Sequence, residues 1–347
     1  TETEIETGLI NAEPIEYVNA MITERENGVL DTILVDTVSE IHNAFDEAQA
    51  GDKIVISAGT YTGSDDDSGS SKGYFYLSAS GTQENPIWIV AQDLENMPVL
   101  QGDDNTTDYV LYITGDYVAV EGVIFKTANQ GIVLDNSNYT VLDNVEVYDI
   151  GQEAIHIRDG SSYTIVQNSF VHTTGLNVNK YGEGIYVGSD YTKWPENGGN
   201  YIKECDYVQI INNTIGPDVS AEHIDIKEGS SYTTVSGNTF NGVGIDDTEN
   251  GGTSFMDLKG NYAQVMYNLG NQNGNELIEH AFEVNTKSEG WGSYNIFHNN
   301  TTNFDDDNYQ SLIVEWNKSS SYTSPVGTES YDNIRNPEDA ALIDNIP

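Results

Sequence analysis

Apolar and polar residues alternate strictly in a short segment that occurs five times between Glu153 and Lys287. Such alternation predicts β-strands in which every second side chain faces a core. The copies read EAIHIRDG, EGIYVGSD, EHIDIKEG, SFMDLKGN and HAFEVNTK. Their alignment predicts two inward columns, one of Ile155, Ile185, Ile224, Met256 and Phe282, the other of Ile157, Val187, Ile226, Leu258 and Val284.

A second repeated segment, which begins with tyrosine, lies between the copies of the first. It reads YTVLDNVEV, YTIVQNSFV, YVQIINNTI, YTTVSGNTF and YAQVMYNLG, and asparagine recurs at Asn144, Asn168, Asn212 or Asn213, Asn238 and Asn268. Short β-rich segments at such a period predict stacked coils, with asparagine at the corners in a structural role. We therefore expect one all-β domain, a parallel β-helix over residues 37–335.

The region before the repeats predicts a short amphipathic helix that covers the open end of the solenoid. Ser39 is the predicted N-cap, Ile41, Ala44, Phe45 and Ala48 share one face, and the helix, expected near residues 39–50, stops before Gly51. Residues 1–36 are expected to form an arm or a first covering strand, and residues 336–347 a C-terminal tail.

The run AGDKIVISAGTYTG, followed by SGTQENPIWIVAQ, resembles the opening of the right-handed parallel β-helix polysaccharide lyases. The resemblance is to the alginate lyase and chondroitinase B group and to the related pectate lyases. It implies a right-handed solenoid. It also implies cleavage of an acidic, uronic-acid polysaccharide by β-elimination, although sugar-binding and hydrolytic β-helices begin similarly.

Stacked inward columns require stacked outward columns, because neighbouring coils lie about 4.8 Å apart. One predicted outer column reads His156, Tyr186, Asp225, Asp257 and Glu283, and the next reads Arg158, Gly188, Lys227, Lys259 and Asn285. Two carboxylates about 5 Å apart repel by about 3 kcal/mol. The three acids could therefore bind Ca²⁺, form a surface ion-pair lattice with the lysines, or share another metal with His156.

The resemblance assigns chemistry to these columns. It implies Lys227 as the base, with a pKa lowered towards the working pH, Asp225, Asp257 and Glu283 as calcium ligands, and Arg158 as a clamp on the substrate carboxylate. Lys259, one coil away, is the alternative base. His156 and Tyr186, with Arg158 as the neutralising cation, could run the same elimination without a metal.

Further residues are predicted to contact the substrate. Glu183 and Glu222 lie in a third outer column with Glu153, and His223 follows Glu222. The insertion between Ser189 and Cys205 is expected to become a loop that walls a groove. Aromatic side chains in and near it could stack on sugar rings or anchor the loop: Tyr191, Trp194 and Trp291.

Composition narrows the function. The formal net charge of −43 argues against nucleic acids and anionic membranes as partners. A charge of this size is compatible with a saline or calcium-rich extracellular environment, or with a surface that serves only to keep the protein in solution. The lone Cys205 excludes an intramolecular disulfide, and no run is apolar enough for a membrane span. The absence of a leader at Thr1 suggests a mature secreted protein.

These observations predict a secreted, monomeric polysaccharide lyase that acts on an acidic polysaccharide, with calcium as its cofactor. Two alternatives remain open. One is a non-catalytic β-helix that binds cell-wall polysaccharide. The other is a glycoside hydrolase that uses paired acids from Asp225, Asp257 and Glu283.

Overall fold

The structure, a computed structural model, describes residues 32–63, 72–246, 254–305, 310–317, 322–338 and 341–346. These residues form three parallel sheets that wind into a right-handed β-helix, as predicted. Most of the predicted N-terminal arm, residues 1–31, lies outside the described residues.

Each coil of the solenoid contributes one strand to each sheet. Sheet 1 contains β1 (Thr32–Val35), β2 (Lys53–Ile56), β5 (Ile87–Ala91), β8 (Val118–Glu121), β11 (Val141–Asp143), β14 (Ile165–Gln167), β17 (Gln209–Ile211), β20 (Thr234–Ser236), β23 (Gln264–Met266), β26 (Ile296–His298) and β29 (Glu329–Tyr331). Sheet 2 contains β4 (Gly73–Leu77), β7 (Tyr109–Ile113), β10 (Gln130–Asp135), β13 (Ile155–Arg158), β16 (Ile185–Val187), β19 (Ile224–Ile226), β22 (Met256–Leu258), β25 (His280–Thr286), β28 (Ser311–Asn317) and β31 (Ala341–Ile346). Sheet 3 contains β3 (Thr60–Thr62), β6 (Val99–Gln101), β9 (Ile124–Ala128), β12 (Glu146–Ile150), β15 (Phe170–Val171), β18 (Thr214–Ile215), β21 (Thr239–Asn241), β24 (Leu269–Asn271), β27 (Thr301–Asn303) and β30 (Ile334–Asn336).

The repeated segment with strict alternation forms β13, β16, β19, β22 and β25 of sheet 2. Ile155 pairs with Ile185, Ile185 with Ile224, and the register continues to Met256 and Phe282. All ten predicted inward residues are fully buried or nearly so. The two inward columns are therefore confirmed, and the outward columns follow from the same register.

The capping helix, α1, spans Val38–Asp46, and its N-cap is Thr37 rather than the predicted Ser39. The Thr37 side chain accepts a hydrogen bond from the amide of Glu40, which satisfies one free donor of the first turn. Ile41, Ala44 and Phe45 are buried against the solenoid, as predicted. The helix ends before Gly51 is reached.

The two ends of the described solenoid compare differently with the predictions. Residues Thr32–Val35 form β1, which pairs with β2, so this part of the N-terminal segment is a first covering strand, one of its two predicted forms. The predicted C-terminal tail is wrong, because Ala341–Ile346 pairs with β28 and adds a strand to sheet 2. In the described part of the chain, no helix is long and apolar enough to cross a membrane.

Tyrosine and asparagine stack at the corners of the coils. Neighbouring tyrosine rings lie 4.7–5.2 Å apart in a ladder of Tyr117, Tyr139, Tyr163, Tyr207, Tyr232, Tyr262 and Tyr294. The predicted asparagines divide into two columns. One has positive φ and contains Asn144, Asn168 and Asn212. The other is a largely buried ladder of Asn213, Asn238, Asn268, Asn300 and Asn333, in which the side-chain amide of each residue donates to the side-chain carbonyl of the next.

Replacement of a residue inside this asparagine ladder should destabilise the fold. Asn238 accepts two hydrogen bonds from Asn213 and donates to the carbonyl of Ile210 and to Asn268. Asn238→Ala leaves these buried groups unpaired, so we expect a loss of about 2–4 kcal/mol in the free energy of unfolding. Chemical denaturation measures it. The exposed Asn85→Ala is the control, and equal midpoints for the two variants would contradict the role of the ladder.

Candidate active site

The candidate site lies on the outer face of sheet 2. His156, Tyr186, Asp225, Asp257 and Glu283 occupy the same register position on β13, β16, β19, β22 and β25. The column continues towards the N-terminus through Val133 and Tyr112 to Tyr76. Parallel pairing thus brings together side chains that are far apart in the sequence.

Lysines neutralise the carboxylates that were predicted to bind calcium. Lys227 Nζ lies 2.7 Å from Asp225, and Lys259 Nζ lies 2.8 Å from Asp225 and 2.6 Å from Asp257. Asn285 Nδ2 also donates to Asp257. Asp225, Asp257 and Glu283 therefore do not fit a calcium site, because ammonium groups already occupy the first two. The structure shows the alternative ion-pair lattice.

The same acids hold the lysines in their charged form. Burial lowers the pKa of Lys227, but the negative charges of Asp225, Glu183 and Asp257 outweigh it and raise the pKa well above its usual value. Burial likewise lowers the pKa of Lys259, but the negative charges of Asp225 and Asp257 outweigh burial, so the pKa of Lys259 is also raised. The predicted lowering of the pKa of Lys227 is therefore wrong for the free protein.

Tyr186 lies at the centre of the outer column that runs from Tyr76 to Glu283, and its hydroxyl is free. Its ring contacts the ring of His156, with centroids 4.4 Å apart, and Lys227 Nζ lies 4.8 Å from the ring centroid. The side chain is partly exposed, and its hydroxyl forms no hydrogen bond to any residue that the structure describes. Burial and the charge of Asp225 raise the pKa of Tyr186, so the phenol is protonated at neutral pH.

His156 is held as a neutral imidazole. Burial and the charge of Arg158 lower its pKa well below the usual value. Its Nε2 lies 3.2 Å from the carbonyl oxygen of Gly188, so Nε2 carries the proton, and Gln130 Nε2 lies 3.3 Å from Nδ1. Because both ring nitrogens are engaged, His156 is better suited to hold the Tyr186 ring in place than to take a proton.

Arg158 is paired rather than free. Its Nε and Nη2 donate to the two carboxylate oxygens of Asp135 at 2.6 and 3.1 Å, and Nη2 also donates to the hydroxyl of Tyr109. The Cζ atom of the guanidinium lies 5.5 Å from the ring centroid of Tyr109 and 5.4 Å from that of Tyr201. Of its nitrogens, only Nη1 has no hydrogen-bond partner among the described residues. A bidentate clamp on the substrate is therefore not available without displacement of Asp135.

A different group of carboxylates has oxygens close enough to share a cation. Carboxylate oxygens of Glu183, Glu222 and Asp225 lie within 4.8 Å of one another. Burial, followed by the charge of Glu153, raises the pKa of Glu183, and burial with the charge of Asp225 raises that of Glu222 to about 8. Both glutamates are thus protonated at neutral pH and Asp225 is neutralised by lysine, so the cluster is stable without a metal.

Besides Glu183, two further residues predicted to contact the substrate are buried. His223 is fully buried and packs against the rings of Phe240 and Phe255, so its predicted role is wrong. Trp194 is 6% exposed, and its Nε1 donates to the carbonyl of Ser189, so it anchors the insertion instead of stacking on sugars. Tyr191 and Trp291 are partly exposed, and their contact with substrate stays a prediction.

The insertion after β16 is tethered to the coils at both ends. It contains the 3-10 helices Tyr191–Lys193 and Pro195–Asn197. At one end Asp190 forms an ion pair with Lys287, with 2.8 Å between Oδ2 and Nζ, and at the other the amide of Ile202 donates to Asp159 at 2.7 Å. The insertion therefore runs alongside the coils from β13 to β25, and its role as the wall of a groove stays a prediction.

Comparison with known proteins agrees with this architecture. A family described as Pel9A-like, right-handed β-helix region matches residues 17–223. The alginate lyase from Paenibacillus sp. str. FPU-7 is 38% identical, with 91% of this chain and 98% of that chain covered and a TM-score of 0.81. The chain belongs to the Pel9A-like β-helix family. The predicted resemblance to β-helix polysaccharide lyases is confirmed, and so is the enzyme class, a polysaccharide lyase.

More distant structures share the fold of this family member. The alginate lyase AlyGC of the PL6 family is 16% identical, with 81% of this chain and 36% of that chain covered and a TM-score of 0.57. Pectate lyase Pel9A is also 16% identical, with 84% and 73% covered and a TM-score of 0.52. No curated protein sequence matches the chain.

Several residues of the site were missed by the sequence analysis. Asp135 pairs in register with Arg158. Gln130 lies one coil towards the N-terminus from Glu153, at the same register position. Tyr109 and Tyr112 lie one coil further towards the N-terminus. Extension of the aligned columns by two coils would have found them, because β7 and β10 follow the same alternation. No pattern in the sequence pointed to Tyr201, because this residue belongs to the insertion and not to a repeated segment.

Proposed function

We propose that this polysaccharide lyase cleaves a uronic-acid polymer by β-elimination, and that Lys227 and Tyr186 transfer the protons. The observation that carries the proposal is the position of Lys227 Nζ over the ring of Tyr186, 4.8 Å from the ring centroid, on a side chain whose hydroxyl has no hydrogen-bond partner among the described residues. Alginate is the first polymer to test, because the enzyme with 38% identity is an alginate lyase. We also propose that the protein is secreted, since such polymers are extracellular.

β-Elimination needs a base, an acid and a cation near the uronate carboxylate. The base removes the C5 proton, the electron pair forms the C4–C5 double bond, and the C4–O bond breaks as its oxygen accepts a proton. We assign the base and the acid to Lys227 and Tyr186 as a pair. When one of the two residues loses its proton, it becomes the base that accepts the C5 proton. The other residue keeps its proton and donates it to the leaving oxygen.

The position next to Lys227 in the preceding coil requires glycine. Gly188 lies between Arg158 and Lys227 in the second outer column. A Cβ at this position would lie 2.6 Å from Ser230 Oγ and 3.2 Å from Lys227 Cβ, so any other residue would crowd the lysine. Arg158 and the lysine ammonium groups offset the charges of the carboxylates around them, which removes part of the repulsion between a uronate and a protein of net charge −43.

Calcium remains a second candidate for the cation, at a site different from the predicted one. One observation favours it: Glu183 Oε2 is buried without a hydrogen-bond partner. Glu183, Glu222 and Asp225 would hold the ion, and calcium there would neutralise the uronate carboxylate. Against it, Lys227 and Lys259 lie at hydrogen-bond distance from Asp225 and would repel a dication.

Removal of calcium should have little effect if the lysines supply the positive charge. We expect the rate of unsaturated-product formation and the melting temperature to be the same with and without a strong chelator. A loss of activity that added calcium restores, and magnesium does not, would assign the ion to Glu183, Glu222 and Asp225. In that case Glu183→Gln should weaken the calcium response.

Tyr186→Phe tests the proton-transfer pair, because it retains the ring and removes only the hydroxyl. We expect the rate on uronans to fall by about 10²–10⁴-fold. The ultraviolet absorbance of the unsaturated product measures this rate, and an unchanged circular dichroism spectrum confirms the fold. The matched control is Tyr331→Phe on sheet 1, which should be fully active.

The same assay distinguishes the alternative functions. Reducing ends without ultraviolet absorbance would indicate a glycoside hydrolase. Retention on the polymer without cleavage would indicate a binding module. A fully active Tyr186→Phe variant would remove Tyr186 from the mechanism.

A further inference from the structure

The N-terminal half of the groove contains a cluster of tyrosines that the elimination does not use. Tyr76 and Tyr112 continue the outer column beyond His156, Tyr109 lies beside them, and Tyr201 reaches in from the insertion. We call these four residues the tyrosine patch. Tyr76, Tyr109 and Tyr201 are partly exposed, and Tyr112 is 9% exposed.

Hydrogen bonds and ring contacts fix the patch around one ion pair. Tyr112 donates to Asp135 at 2.9 Å, while Asp135 accepts both bonds from Arg158. Tyr76 and Tyr112 are stacked, with ring centroids 5.2 Å apart, and the ring of Tyr109 meets that of Tyr112 edge to face at 5.5 Å. Little conformational entropy remains to be lost on binding, so the patch is preorganised.

Charge distinguishes this half of the groove from the other. Beyond Tyr186, towards the C-terminus, the outer columns carry Asp225, Asp257 and Glu283 against the two lysines. Before Tyr186, the carboxylate of Asp135 is balanced by Arg158, while Glu153 accepts a hydrogen bond from Gln130 and burial raises its pKa towards the neutral form. A polyanion therefore meets a net negative surface on one side of Tyr186 and an electrically balanced, aromatic surface on the other.

The chemistry of the patch suits uronic-acid sugars. Tyrosine combines an apolar ring, which packs against the C–H groups of a pyranose, with a hydroxyl that can bond to sugar hydroxyls. Arg158 Nη1, which has no partner among the described residues, can donate to a uronate carboxylate. From Tyr76 to Tyr186 the strip crosses four coil spacings, about 19 Å, so it is longer than a single sugar.

We propose that the tyrosine patch binds the sugar units on one side of the scissile bond and so makes the groove asymmetric. The proposal rests on the proposed lyase function for its substrate class. The polymer runs from Tyr186 towards Tyr76, and few sugar units bind over the acidic half. Consequently, additional sugar units increase the affinity of the enzyme for an oligomer only when they extend over the tyrosine patch.

The test compares uronate oligomers of increasing length. Tyr201→Ala changes a loop residue outside the sheets, and Tyr76→Ala provides a second, independent variant within the patch. We expect either variant to raise KM for long oligomers by about three- to tenfold, and by less for the shortest oligomer that is cleaved. Tyr331→Ala, which removes a tyrosine that is 46% exposed on sheet 1, is the control and should leave KM unchanged.

Two results would overturn the proposal. One is an unchanged KM at every length in both variants, and the other is an equal fall in kcat at every length without any change in KM. Failure of the lyase function is a separate outcome, recognised when the wild-type protein forms no unsaturated product from any uronan. Retention on immobilised alginate then decides the patch: weaker retention of Tyr201→Ala supports it, and equal retention contradicts it.

Discussion

Parallel pairing in register is the constraint on which the whole structure depends. Each coil places its strand directly over the preceding one, at about 4.8 Å, so a repeated position in the sequence becomes a column in space. The inward columns of sheet 2 make the core, and the outward columns make the site from residues as distant as His156 and Glu283. A slip of one residue would exchange the two faces and abolish both.

The second consequence of stacking is a dense set of buried charges. Carboxylates in neighbouring coils must be neutralised, and Lys227 and Lys259 do so from the adjacent column. The pairs are costly to desolvate, and removal of one partner would leave a buried unpaired charge. They therefore fix the charge state of the groove: cationic lysines, a protonated Tyr186 and a neutral His156. Proton transfer must start from this state.

The sequence was sufficient for the fold and for the membership of the outer columns, because a period of two residues determines which side chains share a face. It could not determine which of those side chains touch. Lys227 was expected to have a lowered pKa, but its 2.7 Å contact with Asp225 reverses the sign. His223 was assigned to the outer face because strict alternation was assumed to continue to the start of the strand. The residue before each strand instead also faces inward, as the buried Val110, Ala154 and Phe255 at the same register position show. Trp194 was ambiguous, since a loop aromatic serves equally well as an anchor.

The pH dependence of kcat for the wild-type enzyme on a uronan tests the central claim most directly. Burial raises the pKa of Tyr186, and the surrounding acids outweigh burial to raise that of Lys227, so the Lys227–Tyr186 pair holds its protons at neutral pH. Because the reaction needs one of these protons to leave, kcat should rise with pH from neutral into the alkaline range. A kcat that is already at its plateau at neutral pH and does not rise further would contradict the account and would favour His156, whose pKa lies well below its usual value, as the base.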